Sequence, residues 1–189
     1  MPSILVVDDE PGVRSALSGV LKDEGYDVEA VESGEACLER LARVTYDLVV
    51  LDVWLPGMDG LATLARMRER QVDTQVVVIS GHGNIESAVR AIKMGAFDFV
   101  EKPLSLEKTV LVVRNALRQR YLEAENLALR ARVDAQHTMV GDSFAMLKLR
   151  EQVAMAAPPN GRVLVFGENG TGKELVARTI HALSRRRSG

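Results

Sequence analysis

Acidic residues gather at two places in this chain, each at the end of an apolar run. "ILVVDDE" puts Asp8, Asp9 and Glu10 after one run, and "DLVVLD" puts Asp52 after another. If those runs are neighbouring strands, the acids share one cleft, where unpaired carboxylates repel and shift one another's titration. A hard divalent cation resolves that conflict, and Mg2+ suits a few carboxylates together with waters and a phosphate group. Two further apolar runs end at Ser80, in "VVVIS", and at Lys102, in "FVEKP". They add a hydroxyl, and an ammonium able to neutralise a newly added phosphoryl group. Any one of these residues is ordinary, since an Asp after a strand is usually a loop or cap residue. Their joint placement is what points to chemistry.

A second constellation lies near the end of the chain. "GENGTGKE", Gly167, Glu168, Asn169, Gly170, Thr171, Gly172, Lys173 and Glu174, fits the first seven positions of a phosphate-binding loop. An apolar run at 162–166 reads as a strand before it, and 174–183 reads as a helix after it. Backbone N–H groups and the helix N-terminus would cradle phosphates, with Lys173 reaching the β and γ oxygens. Glu174 stands where Ser or Thr is usual, which removes the hydroxyl that normally touches Mg2+.

Composition narrows the classes. The chain has 189 residues, 47% hydrophobic and 26% charged, the balance of one or two globular domains. A formal net charge of −2 excludes a global basic field for nucleic acid, and the cluster Arg185, Arg186, Arg187 is too short to reverse that. One cysteine, Cys37, excludes an internal disulfide and fits a reducing compartment. No apolar run approaches the length of a membrane span and no secretory leader is evident, so a cytoplasmic protein without membrane contact is expected. His82, His137 and His181 have no metal-ligand spacing.

These residues need elements to position them. Short β-branched runs at 4–7, 28–31, 48–51, 76–79 and 97–100 read as strands. Amphipathic stretches at 13–23, 35–42, 61–70, 85–94 and 106–119 read as helices. Pro11 suits a first turn, and Ser33, Asp59, Asn84 and Ser105 suit N-caps. Gly25 and Gly95 suit left-handed residues after helix ends. Strand–helix alternation repeated five times implies right-handed crossovers and a parallel sheet covered on both faces. Ligand chemistry in such sheets sits at the carboxyl ends of the strands, where these acids fall.

The last helical pattern does not stop at 119. Val110, Val113, Leu117, Arg120, Ala124, Leu127 and Ala131 follow steps of three and four residues, and neither Gly nor Pro interrupts through Val133. Two readings remain open, a seam for a partner helix and a single solvated linker. A new unit begins after 135–140, with Ser143 as a cap, a helix to about 156 and a Pro-Pro-Asn-Gly turn.

In order and spacing, "ILVVDDE", "DLVVLDVWLPGMDG", "VVVISGHG" and "FVEKP" resemble the receiver domain of two-component response regulators over about residues 2–120. The resemblance implies a flavodoxin-like (βα)5 fold with a five-stranded parallel sheet. It implies phosphoryl transfer from a phosphohistidine on a sensor histidine kinase to Asp52, the nucleophile and phosphoacceptor. Asp9 and Asp52 would ligate Mg2+, Asp8 would act through water, and the Trp54 backbone carbonyl would complete the protein ligands. Ser80 would hydrogen-bond the phosphoryl oxygens and Lys102 would pair with them. Ser80 and Phe99 would form the switch, the ring moving inward as Ser80 is drawn to the phosphoryl group. The family often has Tyr at the position of Phe99, so no hydroxyl-dependent contact is expected.

Glu174 in "GENGTGKE", with "MVGDSFAM" upstream, resembles the AAA+ domain of NtrC-type regulators that activate sigma-54 RNA polymerase. "KPLSLEKTVLVVRNALRQR" with that loop is most similar to the NtrX subgroup, linked to nitrogen and redox signalling. The implied organisation is a receiver at 1–120, a helical linker at 121–138 and the opening of a P-loop AAA+ domain at 139–189. The Walker B strand, polymerase-contacting loop, arginine fingers and helix-turn-helix of that pattern are not in this sequence. ATP hydrolysis is therefore not expected of this chain and ATP is expected to bind weakly, so the chain reads as no enzyme. Sigma-54 RNA polymerase and DNA would be partners only in a longer parent protein. The expected function is a phosphorylated signalling switch that alters self-association, as a homodimer through the last receiver helix or the linker. The alternative is an autonomous P-loop NTPase with a regulatory N-terminal domain. A flavin-binding domain fits less well, since the acidic cleft would repel a flavin phosphate.

Overall fold

The computed structural model describes residues 1–81, 85–136, 139–158 and 161–184. Asn84, His82, His137, Pro159, Asn160 and the Arg185–Arg187 cluster lie outside them. The chain divides into two compact units, Met1–Ala124 and Glu125–Gly189.

The first unit alternates β1 (Ser3–Val7), α1 (Pro11–Asp23), β2 (Asp27–Val31), α2 (Gly34–Leu41), β3 (Leu48–Asp52), α3 (Gly60–Glu69), β4 (Gln75–Ser80), α4 (Ile85–Lys93) and β5 (Asp98–Glu101). The helix α5 (Leu106–Gln136) follows. All strand pairs are parallel, in the order β2-β1-β3-β4-β5. This is the flavodoxin-like arrangement; the five strands and first four helices fall within two residues of where hydrophobic patterning places them, and α5 continues past 119, as its pattern implies, to Gln136.

Strand alternation sorts the core into two layers. Leu5, Val7, Val49, Leu51, Val76 and Val78 face Cys37 and Leu38 of α2, Leu61, Leu64 and Met67 of α3 and Ala91 of α4. Their neighbours Ile4, Val6, Leu48, Val50, Val77 and Ile79 face Leu17 and Leu21 of α1 and Val112, Val113 and Ala116 of α5. Both faces of each strand are thus apolar, as a doubly covered parallel sheet demands.

Local chemistry sets the ends of the helices. Ser33 and Asp59 accept the backbone N–H groups of Ala36 and Ala62, satisfying donors that the first turn leaves without partners. The Ser105 hydroxyl accepts from Lys108 N at 3.4 Å. Pro11 opens α1, and Gly25 and Gly95 adopt φ of +87° and +90° after α1 and α4.

Within α5 the seam residues diverge. Val113 is buried and Val110 and Leu117 pack against the same layer, so this stretch completes the receiver core. Arg120 pairs with Asp47 at 3.4 Å and with Asp73 at 3.3 Å. Beyond it, Tyr121, Leu122, Leu127 and Leu129 are exposed, and of these only Leu127 falls on the predicted seam.

The second unit contains α6 (Phe144–Ala156), capped by Ser143, and α7 (Lys173–Leu183). Met139, Val153 and Val176 form its small core, with Val165 packed against them. The strand expected at 162–166 is a correction: the segment pairs with no strand among the described residues. A strand is defined by its ladder, and apolar β-branched residues without a neighbouring strand remain extended chain. Leu164 and Phe166 are correspondingly exposed.

Candidate phosphoacceptor site and phosphate loop

The topology brings the acids together. Since β1 pairs with β3 and Val7 stands opposite Leu51, Asp8 and Asp52 emerge side by side at the carboxyl edge. β4 and β5 flank β3 in order, so Ser80 and Lys102 reach the same edge. Asp8, Asp52 and Ser80 are 1%, 2% and 1% exposed, although all three are polar.

Lys102 joins them. Its Nζ lies 2.6 Å from Asp52 Oδ2, 3.0 Å from Asp8 Oδ2 and 3.1 Å from Glu10 Oε1. Burial alone would lower the lysine pKa, but bonds to Asp52, Asp8 and Glu10 outweigh it and hold the ammonium above its ordinary range. Burial pushes the Asp8 carboxyl up, the Asp52 charge adds to this, and Lys102 and the Glu10 N–H offset it only in part. The cleft therefore holds more negative charge than one ammonium balances.

Backbone groups fix the orientation of both acids. Asp52 Oδ1 accepts Trp54 N–H at 3.1 Å, and Asp8 Oδ1 accepts Glu10 N–H at 2.9 Å. The Arg14 guanidinium donates to the Asp8 carbonyl oxygen at 2.6 Å. After Asp52, a loop through the exposed Trp54 returns to α3. Gly60 closes that loop against the Asp52 carbonyl oxygen, at a separation that leaves no room for a Cβ.

Ligand atoms of Asp8, Glu10 and Asp52 all lie within 4.8 Å of one another, a spacing one cation can bridge. The donor set, carboxylates with excess negative charge, fits a hard ion such as Mg2+. Ser80 Oγ is buried and has no hydrogen-bond partner among the described residues, an atom able to serve an incoming oxygen. Asp9, a proposed ligand from sequence, is exposed and stands outside this group. Glu10, quoted in the same acidic run but given no role there, stands inside it. Phe99 is partly buried against the layer that contains Ala91 of α4.

The candidate phosphate loop lies in the second unit. Gly172, in the left-handed region at φ +83°, caps α7, and Gly170 shares that conformation. Lys173 Nζ donates to the carbonyl oxygens of Gly167 at 2.9 Å and Glu168 at 2.5 Å, curling over its own loop. Thr171 Oγ1 donates to Glu168 O at 2.8 Å. Glu174 pairs with Arg178 one turn on, at 2.7 Å.

Comparison with known proteins agrees with both halves. Residues 4–114 match the response regulator receiver domain and residues 139–189 match the sigma-54 interaction domain. The nitrogen assimilation regulatory protein NtrX of Azorhizobium caulinodans is 43% identical over 188 residues, 98% of this chain and 41% of that protein. The crystal structure of NtrX from Brucella abortus in complex with ADP is 43% identical, with a TM-score of 0.66 over 100% of this chain and 43% of that one. The receiver domain of the same NtrX is 44% identical with a TM-score of 0.58, covering 61% of this chain and 98% of that domain. The chain thus spans about two fifths of the length of the full-length relatives it matches, 41% and 43%. With a receiver match over more than half its length, carried on the fold and acidic edge described above, the chain belongs to the response regulator receiver family.

Proposed function

We propose that this chain takes a phosphoryl group on Asp52 from a sensor histidine kinase and so switches the output of a sigma-54-dependent transcriptional activator. The observation that carries this reading is the convergence of Asp52, Asp8, Glu10 and Lys102 at one strand edge. In the transfer, an Asp52 carboxylate oxygen bonds to phosphorus as the bond from phosphorus to the donor imidazole nitrogen breaks. The bonding electron pair leaves with that nitrogen. Phosphoryl transfer asks the protein mainly for position and charge stabilisation.

Each residue has a part in this. The Trp54 N–H orients Asp52, Lys102 offsets charge on the transferring group, and Ser80 Oγ supplies a hydrogen bond to its oxygens. Asp8, Asp52 and either Asp9 or Glu10 would hold Mg2+ with the Trp54 carbonyl, and the ion, when bound, neutralises phosphoryl oxygen charge. Phosphorylation would release Asp52 from Lys102 and draw Ser80 inward, with Phe99 following.

The second unit supports a nucleotide role. The resemblance to an NtrX solved with ADP, together with the loop geometry, supports phosphate binding at Gly167 to Glu174. The relatives extend well beyond the matched region, so the expectation that the chain is no enzyme does not carry over to the whole protein. ATP hydrolysis, sigma-54 RNA polymerase and DNA belong to the proposed activity of that longer protein. A receiver at 1–120, a linker at 121–138 and an AAA+ portion at 139–189 remain the proposed organisation. Self-association through α5 is proposed from its exposed Leu127 and neighbouring apolar residues. Among the described residues no helix is long and apolar enough to cross a membrane. A cytoplasmic location fits the receiver role.

The test is intact mass after incubation with acetyl phosphate. One added phosphoryl group in Mg2+, and none when the metal is chelated, is the expected result. Uptake that ignores Mg2+ counts against the acidic cluster as the metal site. ATP turnover by this chain, lost in Lys173→Ala, would instead favour the autonomous NTPase.

A further inference from the structure

The loop from Val53 to Asp59 links Asp52 to α3, and α2 grips it from outside. Glu35, exposed in the first turn of α2, accepts the backbone N–H of Met58 through Oε1 at 2.9 Å. Gly57, with φ +76°, lies against the same carboxylate, and a Cβ there would stand 2.8 Å from Oε1. Gly34 packs beside it so closely that its own Cβ would meet the Met58 carbonyl oxygen at 2.9 Å. The N-terminal turn of α2 therefore holds the returning leg of the loop, by a charge-assisted hydrogen bond and by contact.

Other bonds anchor the loop near its base, among them Val53 N–H to the Ile79 carbonyl oxygen of β4 at 2.8 Å. Trp54 N–H is held by Asp52 Oδ1, Gly60 N donates to the Val53 carbonyl oxygen at 2.9 Å, and Asp59 caps α3. These close the loop at its base. Glu35 acts at Met58, on the leg the internal bonds do not reach, and lies outside the acid cluster.

We propose that Glu35 is a positioning residue for phosphoryl uptake, holding Gly57 and Met58 so that Asp52 and the Trp54 backbone keep the geometry that accepts a divalent ion and a phosphoryl group. This rests on the reading of Asp52 as phosphoacceptor. The carboxylate of Glu35 touches neither the ion nor the transferred group; its effect travels through the loop.

The test uses the full chain and three variants. Trp54 is the single tryptophan, so its fluorescence reports Mg2+ titration beside the site. Amide exchange at Met58 reports the tether directly, and acetyl phosphate uptake reports the reaction. Glu35→Ala is expected to weaken Mg2+ binding about fivefold, the value of one ordinary hydrogen bond, since solvent at the exposed Glu35 screens its charge. It should also slow uptake and speed Met58 exchange. Glu35→Gln keeps an acceptor oxygen and should restore Mg2+ binding to within about twofold of wild type. If the alanine variant unfolds, Glu35→Asp, one methylene short, carries the same expectations as alanine. A merely structural residue would move the melting temperature and leave the Mg2+ titration alone. Wild-type uptake on Asp52 with a folded Glu35→Ala chain that titrates and reacts normally overturns the proposal, as does a glutamine variant impaired like alanine. Failure of wild type to take up any phosphoryl group overturns the receiver reading and the proposal together.

Discussion

Asp52 and Asp8 are almost completely buried beside a single ammonium, so Lys102 is the residue on which the metal-free site depends. Lys102→Ala leaves two buried carboxylates without their counter-charge, a change of the kind that costs on the order of 3 kcal/mol. Urea denaturation should show that loss without metal, and saturating Mg2+ should recover much of it. A loss that Mg2+ leaves untouched would separate the lysine from the metal site. Cys37 behaves differently. Burial raises its thiol to about 12, and burial with a hydrogen bond to Glu29 raises the Tyr46 hydroxyl to about 12. In the unfolded chain these groups ionise near about 8.5 and 10. Between those values and about 12 the unfolded state binds fewer protons than the folded one, so stability falls as pH rises. The contribution is complete below about 8.5 and is lost progressively towards about 12. Denaturant midpoints measured across that window should decline, and Cys37→Ala should flatten the slope from its lower end.

The elements were legible because their signals are local. Short continuous apolar runs, the caps Ser33 and Asp59, and the glycines at 25 and 95 each act within a few residues. The segment at 162–166 reads as a strand by the same criteria yet pairs with none among the described residues, because a ladder needs a neighbour that local pattern does not supply. The site was legible in part for a related reason. Parallel order places the ends of β1, β3, β4 and β5 together, so Asp8, Asp52, Ser80 and Lys102 follow from topology. Side-chain reach does not, and Glu10 and Glu35 declare themselves only through Lys102 and Met58. Gly60 shows how tightly the element ends are fitted. A Cβ at that position strikes the carbonyl of Asp52, backbone on which the site is built. Gly60→Ala is expected to cost about 1–3 kcal/mol, the range for overpacking a filled site. It should also slow phosphoryl uptake, as read by denaturant midpoint and initial rate.

Across the whole molecule, metal and phosphorylation should act as ligands of the folded state. Mg2+ at ten times its dissociation constant is expected to add about 1.4 kcal/mol of stability, visible as a rise in melting temperature. In the proposed self-association, α5 would link this switch to assembly, since it carries core residues such as Val113 in its first half and exposed apolar residues such as Leu127 in its second. Phosphorylated chain should therefore sediment differently from unphosphorylated chain, and an unchanged profile would dissociate the switch from self-association. The switch depends on one bond, between phosphorus and a carboxylate oxygen of Asp52. Borohydride reduction of the phosphorylated chain converts an aspartyl phosphate to homoserine, which peptide mass mapping locates. Homoserine is expected at position 52 in the wild type and at no position in Asp52→Asn. Homoserine elsewhere, or phosphoryl uptake that persists in Asp52→Asn, would contradict Asp52 as the phosphoacceptor.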